Sequence, residues 1–388
     1  MQAGARPLAR SAGYRSVVPD PMYTRPTHCE TANPRRLNRP AKSLLGHIAS
    51  AALLSLWAVA WSGPAFASTA GPSSTPSLLN PASTPAQDIY HLSLFVMAIC
   101  LGIFLVVFSL IVYAAVKYRK RPTDDGHEPP QIYGSNQVEL AWTVIPILIV
   151  VVLFLAAARV IHAVEDAQFP PNAIEVTAIG HQFWWEFQYP GYGFVTANEL
   201  HVPVSDLSHP TPTHIVLLSA DTDHSFWVPQ LAGKIDLIPN RRNEMWIDPH
   251  DVGHYVGQCA QYCGTQHAKM LLNVMVDSPE DFAKWTQQQK TPAVMSDQVI
   301  AGRKVFETNA CMNCHTITGT IANGKFGPDL THLMSRTTIA AGAAPNTQEN
   351  LRLWVEQPDA IKPGCLMPAM QLDEQDLKPL VAYLMSLQ

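Results

Sequence analysis

The sequence has no internal repeat, no glycine-rich phosphate loop and no basic patch of the kind that grips nucleic acid. Repeat scaffolds, nucleotide-binding enzymes and nucleic-acid-binding modules are thereby set aside. Cysteine is scarce: seven residues in 388, as two close pairs and three singles (Cys29, Cys100, Cys365), which is no disulfide framework. Charge is missing altogether from two stretches, 25 residues over 92–116 and 19 over 140–158. Each is long enough to cross a bilayer as a helix, and Pro146 inside the second is tolerable in a membrane span.

What lies between and around the spans orients them. Lys117, Arg119, Lys120 and Arg121 crowd the short connecting loop, so that loop belongs in the cytoplasm and everything after Arg159 outside it. Residues 1–40 are rich in Pro, Arg and small polar residues without hydrophobic periodicity, and read either as disordered or as lying upstream of the true translation start. From Arg39 and Lys42 the chain runs through an apolar stretch at 48–61 to Ala65-Phe66-Ala67, the layout of a signal peptide with its cleavage site, so the mature chain is expected to begin near Ser68. A Ser/Pro/Thr/Ala linker over 68–87 follows. The formal net charge of −5 is divided unevenly: residues 168–292 hold thirteen acids against six Lys and Arg, an acidic surface that is either suited to a basic partner or simply solvated.

Beyond the second span the pattern shifts to short β-rich runs broken by Pro, Gly, Asn and Asp. Strands are expected at 174–179, 182–187, 214–219, 243–247 and 270–276, enough for a small sandwich or barrel. Ser278-Pro279-Glu280-Asp281 starts a short helix running toward Gln289. A linker at 291–296 leads to a capped helix over 296–309 and a final helix over 377–387.

Two clusters carry chemistry. In the loop 257–270, Cys259, Cys263, His267 and Met270 follow one another at steps of four, four and three, which can bring them to one side of a coiled segment. Thiolates and imidazole suit zinc or copper, and the thioether tilts the set toward copper. Upstream, His224 offers another imidazole in a strand-loop setting. The second cluster, Cys311-Met312-Asn313-Cys314-His315, is the CxxCH motif of covalent haem attachment. A thioredoxin-like pair would need a βαβ setting, and a zinc knuckle lacks its other half. The remaining histidines, among them His181, His201, His214 and His332, occur singly, as surface or satisfied core residues do.

With its paired spans, the chain through residue 290 resembles subunit II of the haem-copper cytochrome c oxidases, and the last 90 residues or so resemble class I cytochromes c. The resemblance implies a two-helix transmembrane hairpin, an all-β cupredoxin domain of Greek-key type and an all-α cytochrome c domain. The boundaries are 1–67 for the disordered N-terminus and signal peptide, 68–87 for the linker, 88–165 for the hairpin, 166–290 for the cupredoxin domain and 291–388 for the cytochrome. It also implies a binuclear copper centre, CuA, with Cys259 and Cys263 as bridging thiolates and His224 and His267 as terminal imidazoles. Met270 and the backbone carbonyl of Gln261 are the weak ligands. Where Gln261 stands, the family's usual glutamate also reaches a magnesium ion at the subunit interface, and an amide is a poorer ligand for so hard a cation. In the cytochrome, Cys311 and Cys314 bond the haem and His315 is one axial ligand. Met367, in Lys362-Pro-Gly-Cys-Leu-Met367-Pro368, is the choice for the other, ahead of Met370 and Met334.

Glu139, at the entry of the second span, looks like the family's mouth of a proton pathway into the catalytic subunit. Phe183, Trp184 and Trp185 resemble its electron-entry strip. Phe183 stands where members fed by a separate cytochrome c usually carry tryptophan, a departure that fits a built-in donor. The expected function is that of the electron-input subunit of a caa3-type terminal oxidase in a bacterial plasma membrane. Electrons from a cytochrome c or a bc complex would pass through haem c and CuA to subunit I, with subunit III as a further partner. The rival is a copper-handling or assembly protein of the membrane. It accounts for the thiols but neither for CxxCH nor for the paired spans with Glu139. Nitrous oxide reductase also has a CuA domain, but the hairpin argues against it.

Overall fold

The computed structural model describes residues 76–388 apart from 123–125, 127, 129, 166–172, 207, 209 and 294–298. The expected disordered N-terminus and signal peptide, the first part of the linker after them and the second half of the 291–296 linker lie outside the described residues.

Helices α1 (Thr84–Lys117) and α2 (Asn136–Glu165) form an antiparallel hairpin whose apolar side chains are uncovered along both spans. At about 1.5 Å per residue α1 is longer than a bilayer core is thick, so it projects beyond the membrane. It starts within the stretch expected to be linker. Pro85 occupies the first turn, where its missing N–H costs nothing. The cap comes from far along the chain: Asp248 accepts from Thr84 N at 2.9 Å, Thr84 Oγ1 at 2.8 Å and Ser83 Oγ at 3.1 Å. At the other end of the hairpin Trp246 Nε1 donates to Val164 O at 2.7 Å. Both outer helix ends are thus fastened to the β domain.

Among the described residues that domain is a sandwich of ten strands: β1 (Ile174–His181), β2 (Trp184–Tyr189), β3 (Phe194–Ala197), β4 (Glu199–Pro203), β5 (Thr213–Ser219), β6 (His224–Trp227), β7 (Ile235–Leu237), β8 (Asn243–Ile247), β9 (Gly253–Cys259) and β10 (Leu271–Asp277). One sheet has the order β3-β2-β1-β5-β8 and the other β4-β10-β9-β6-β7. The parallel pairs β1/β5 and β4/β10 mark the crossovers of a Greek-key arrangement. The inner faces meet in a core containing Trp185, Phe187, Leu200, Ile215, Leu217, Phe226 and Leu272. The run expected as one strand from Gln182 begins two residues later: Gln182 and Phe183 form the tight turn joining β1 to β2, with His181 paired to Trp184. Helix α3 (Pro279–Gln289) closes the domain, capped by Ser278, whose side chain accepts from Asp281 N.

The C-terminal domain has helices α4 (Ile300–Thr308), α5 (Cys311–Cys314), α6 (Gln348–Glu356), α7 (Pro358–Ile361) and α8 (Glu374–Met385), and one two-residue ladder, β11 (Thr338–Ile339) with β12 (Ala344–Pro345). α4 crosses α8 at Gly302, where a Cβ would stand 2.0 Å from Pro379 O. Phe306 and Tyr383 meet edge to face across the same crossing, 6.0 Å between centroids.

Candidate metal centre

Cys259 ends β9 facing inward, and the loop after it returns through Cys263 and a short 3₁₀ turn, His267–Lys269, to Met270 at the start of β10. β6 places His224 beside this loop because it pairs with β9 at Phe226 and Cys259. The six residues singled out by sequence lie together. The Cys259 and Cys263 sulfurs are 3.9 Å apart. His224 Nδ1 is 3.9 Å and the Gln261 carbonyl 3.1 Å from Cys259 Sγ. His267 Nδ1 is 3.8 Å and Met270 Sδ 3.9 Å from Cys263 Sγ. Both cysteines, His224 and Met270 are buried, whereas the Gln261 side chain is exposed.

The electrostatics favour thiolate. Sharing a proton with Cys263 lowers Cys259 to about 3, and the same sharing raises Cys263. The second proton therefore leaves only when something positive replaces it. Burial by itself depresses His224, but its hydrogen bonds to Asp221 and Cys259 outweigh that and raise it. Asp221 Oδ1 lies 2.8 Å from His224 Nε2, which leaves Nδ1 as the atom facing the sulfurs, the usual way a carboxylate orients a metal-binding imidazole. Two soft sulfurs, two imidazoles, a thioether and a carbonyl converging in a buried pocket fit copper.

The β1–β2 turn closes over this loop. Gln182 N donates to Asp221 Oδ2 at 2.6 Å and Gln182 Nε2 to Cys263 O at 2.6 Å. Gly264, at φ +132°, leaves room for the Phe183 ring, whose carbons would stand 3.0 Å from an added Cβ.

On the other side of that turn is a cavity whose free space, open mouth included, is about 1370 Å³. Cys311, Cys314, His315, Met367 and Met370 line it together with Gln182, Phe183 and Trp184. Met334 packs against the helical core and is not among the residues that line the cavity. His315 Nδ1 lies 2.8 Å from Pro328 O; a carbonyl only accepts, so Nδ1 carries the proton and Nε2 is free as a ligand. Burial lowers the His315 pKa, keeping the ring neutral. Arg336, which sequence reading missed, lines the cavity; one of its terminal nitrogens donates to Asp329 O, and its Nε is buried and without a partner among the described residues. A cationic donor waiting in an apolar cavity beside two cysteines and an imidazole fits a haem with its carboxylates. No local pattern marks Arg336; its role shows only in three dimensions.

Of the aromatic strip, Phe183 and Trp184 border the cavity, while Trp185 is fully buried in the sandwich with its ring 6.2 Å from His224. Glu139 is remote from both clusters, in the first turn of α2 and exposed, with Oε1 3.3 Å from Ser135 N. Two of the single histidines are satisfied by local partners: His332 bonds Gln388 O and Thr291 O, and His201 bonds Asp277 and stacks on Trp285.

Comparison with known proteins agrees with this division. Residues 72–160 match the family described as cytochrome c oxidase subunit II, transmembrane domain, residues 174–277 its periplasmic domain, and residues 299–388 cytochrome c. Cytochrome c oxidase subunit 2 of Alkalihalophilus pseudofirmus is 36% identical over 321 residues, covering 80% of this chain and 90% of that one. The subunit 2 of Bacillus sp. strain PS3 is 31% identical over 331 residues, 80% of this chain and 91% of that one. The subunit 2 of Bacillus subtilis is 30% identical over 336 residues, with shares of 80% and 91%. The two spans, the β domain with its gathered thiols and the haem-type cavity are in the order these matches give. The chain belongs to the cytochrome c oxidase subunit II family, as a membrane-bound electron-input subunit of a haem-copper oxidase whose periplasmic copper domain is fused to a cytochrome c.

Proposed function

We propose that this subunit passes electrons through two stations built from its own residues. At the first, Cys311 and Cys314 would anchor haem c, and His315 and Met367 would be the residues that ligate its iron. At the second, Cys259 and Cys263 would hold copper through their thiolates. His224 and His267 complete the strong ligands, with Met270 and the Gln261 carbonyl as weak ones. Bound haem and copper supply one-electron carriers. The protein's part is positioning. Asp221 and Pro328 fix the tautomers of His224 and His315, Arg336 offers its free N–H to a haem carboxylate, and the Gln182–Phe183 turn fills the space between the stations. The observation that carries this reading is the convergence of four further donor atoms around a 3.9 Å sulfur pair. A copper-handling protein would have no use for the adjoining haem cavity.

The donor, a cytochrome c or a bc complex, delivers to the haem domain, because Phe183 and Trp184 are buried in this structure. Subunits I and III cover the bare faces of α1 and α2. Glu139 marks the start of a proton pathway into subunit I, an assignment supported by its place at the end of a membrane span. The exposed amide of Gln261 is a poor magnesium ligand, and we assign this chain no carboxylate for that ion. For the domains we keep 88–165, 166–290 and 291–388, with helix α1 starting before the first of these, at Thr84.

Optical and electron paramagnetic resonance spectra of the purified oxidase test the reading. The expected result is a mixed-valence binuclear copper signal beside a low-spin haem c. Cys263→Ser should abolish the first and spare the second. One zinc, or one isolated copper, in the loop would overturn it.

A further inference from the structure

The haem domain and the sandwich meet along a seam whose groups no local motif marks. Glu199, on β4 and 2% exposed, accepts at Oε1 from Thr337 N at 2.7 Å and Thr338 N at 3.3 Å. Leu271 N donates to Ala341 O at 3.1 Å, and Lys269 Nζ to Ile361 O at 2.7 Å. Ala340 and Ala341 sit at φ 53° and 57°, a left-handed backbone that costs an alanine roughly 1 kcal/mol and persists only where neighbours fix it. It turns their carbonyls toward donors across and along the seam.

At the centre of these contacts is Lys362, 3% exposed. Among the described residues no carboxylate lies within ion-pair distance of it. Its Nζ donates to Phe183 O, across the seam, at 2.7 Å and to Ala340 O, in its own domain, at 3.1 Å. A lysine at a domain edge ordinarily snorkels to water, and burying one without a carboxylate is expensive. Here burial depresses it to about 7, yet as ammonium or as amine it keeps the two N–H groups that two carbonyls require. Phe183 is the residue next to Gln182, which is tied to Cys263 O, and both wall the haem cavity.

We propose that Lys362 is a positioning residue for the electron crossing: by bonding Phe183 and Ala340 at once, it holds the Gln182–Phe183 turn in the cavity wall and against the Cys263 loop. This rests on the reading of the two sites as haem and copper stations. In the crossing, the one electron that the haem domain loses is the one that the copper domain gains; no bond forms or breaks and no proton moves.

The test uses the complete oxidase with Lys362→Met, which keeps the reach and removes the donors, and Lys362→Gln, whose shorter amide reaches one carbonyl only. An electron is injected photochemically into haem c, and its transfer to copper is timed in preparations of equal haem content and unchanged copper spectrum. Lys362→Met should slow the crossing about tenfold, the change in docked population expected when such a hydrogen bond is lost; Lys362→Gln should fall between. Hydrogen exchange in the segments around Leu271 and 338–345 should quicken in the same order. A wild-type rate and wild-type exchange in Lys362→Met would overturn the proposal, as would Lys362→Gln no faster than Lys362→Met. If Lys362→Met does not assemble, a wild-type rate in Lys362→Gln overturns the proposal and a slower one upholds it. Absence of the haem or copper signals from the unmutated oxidase would instead overturn the reading of the sites.

Discussion

Replacing Asp221 by asparagine would change the copper site without touching a proposed ligand. The carboxylate serves three partners in a small space. Oδ1 lies 2.8 Å from His224 Nε2 and accepts from Thr222 N at 2.6 Å, while Oδ2 accepts from Gln182 N at 2.6 Å. Burial pushes the Asp221 pKa up, but these hydrogen bonds outweigh it and hold the carboxyl below its ordinary value. An asparagine fills the same space with one acceptor and one NH₂. If its oxygen faces His224, its NH₂ faces the Gln182 N–H, donor against donor. If it is flipped, His224 loses its acceptor and the tautomer that leaves Nδ1 free. Either arrangement forfeits one charge-assisted hydrogen bond, roughly 1.5–3 kcal/mol, equivalent to about 10–100-fold in metal affinity. Competition between the protein and a copper chelator, followed by the copper absorption band, measures it. Copper retention within about twofold of wild type would refute the argument that Asp221 orients His224, since even the weaker of these losses exceeds that.

Three further outcomes are expected. Gly302→Ala puts a Cβ 2.0 Å from Pro379 O and 2.7 Å from Tyr383 Cβ, so α4 and α8 must separate; denaturant unfolding followed at the haem should show a loss of about 3 kcal/mol, and a loss under about 0.5 kcal/mol would mean the crossing is looser than described. Glu186 has its pKa pushed up by burial and, more strongly, down by hydrogen bonds from His181 and Gln188. Because the folded value is below the ordinary 4.5, its contribution is present above that pH and lost as pH falls through the folded value; Glu186→Gln should flatten this acid limb of the thermal melting curve, and an unchanged limb would assign the acid sensitivity elsewhere. With donor and acceptor in one chain, encounter is intramolecular, so steady-state oxidase activity driven by a small neutral reductant should change little with ionic strength; a steep fall would show that the haem domain does not stay docked.

Much of this architecture is written locally in the chain. The spans follow from two uncharged runs, the haem attachment from CxxCH, and the gathering of thiols, imidazole and thioether from the four-four-three spacing of Cys259, Cys263, His267 and Met270. Strands β3, β4, β6, β7 and β9 were not among those expected, for identifiable reasons. β6 is four residues long and buried on both faces through His224, Ser225 and Phe226, so it shows no alternation. β7 has only three residues, and the inward positions of β9 are Tyr255, Gly257 and Cys259, a set that hydropathy does not single out. The start of α1 was hidden because its cap, Asp248, lies 164 residues away. The seam was hidden for the same reason: Glu199, Lys362 and the left-handed Ala340 and Ala341 acquire meaning only when two domains meet. Sequence spacing conveys contacts made within a loop or a helix turn, and long-range hydrogen bonds leave no such trace.

The most direct measurement of the central claim is time-resolved spectroscopy of the whole oxidase after one electron is placed on haem c. The copper pair should gain that electron in step with haem oxidation, one for one, before any haem of the oxygen-reducing subunit is reduced. Reduction of that subunit's haem with the copper pair never reduced would contradict the account.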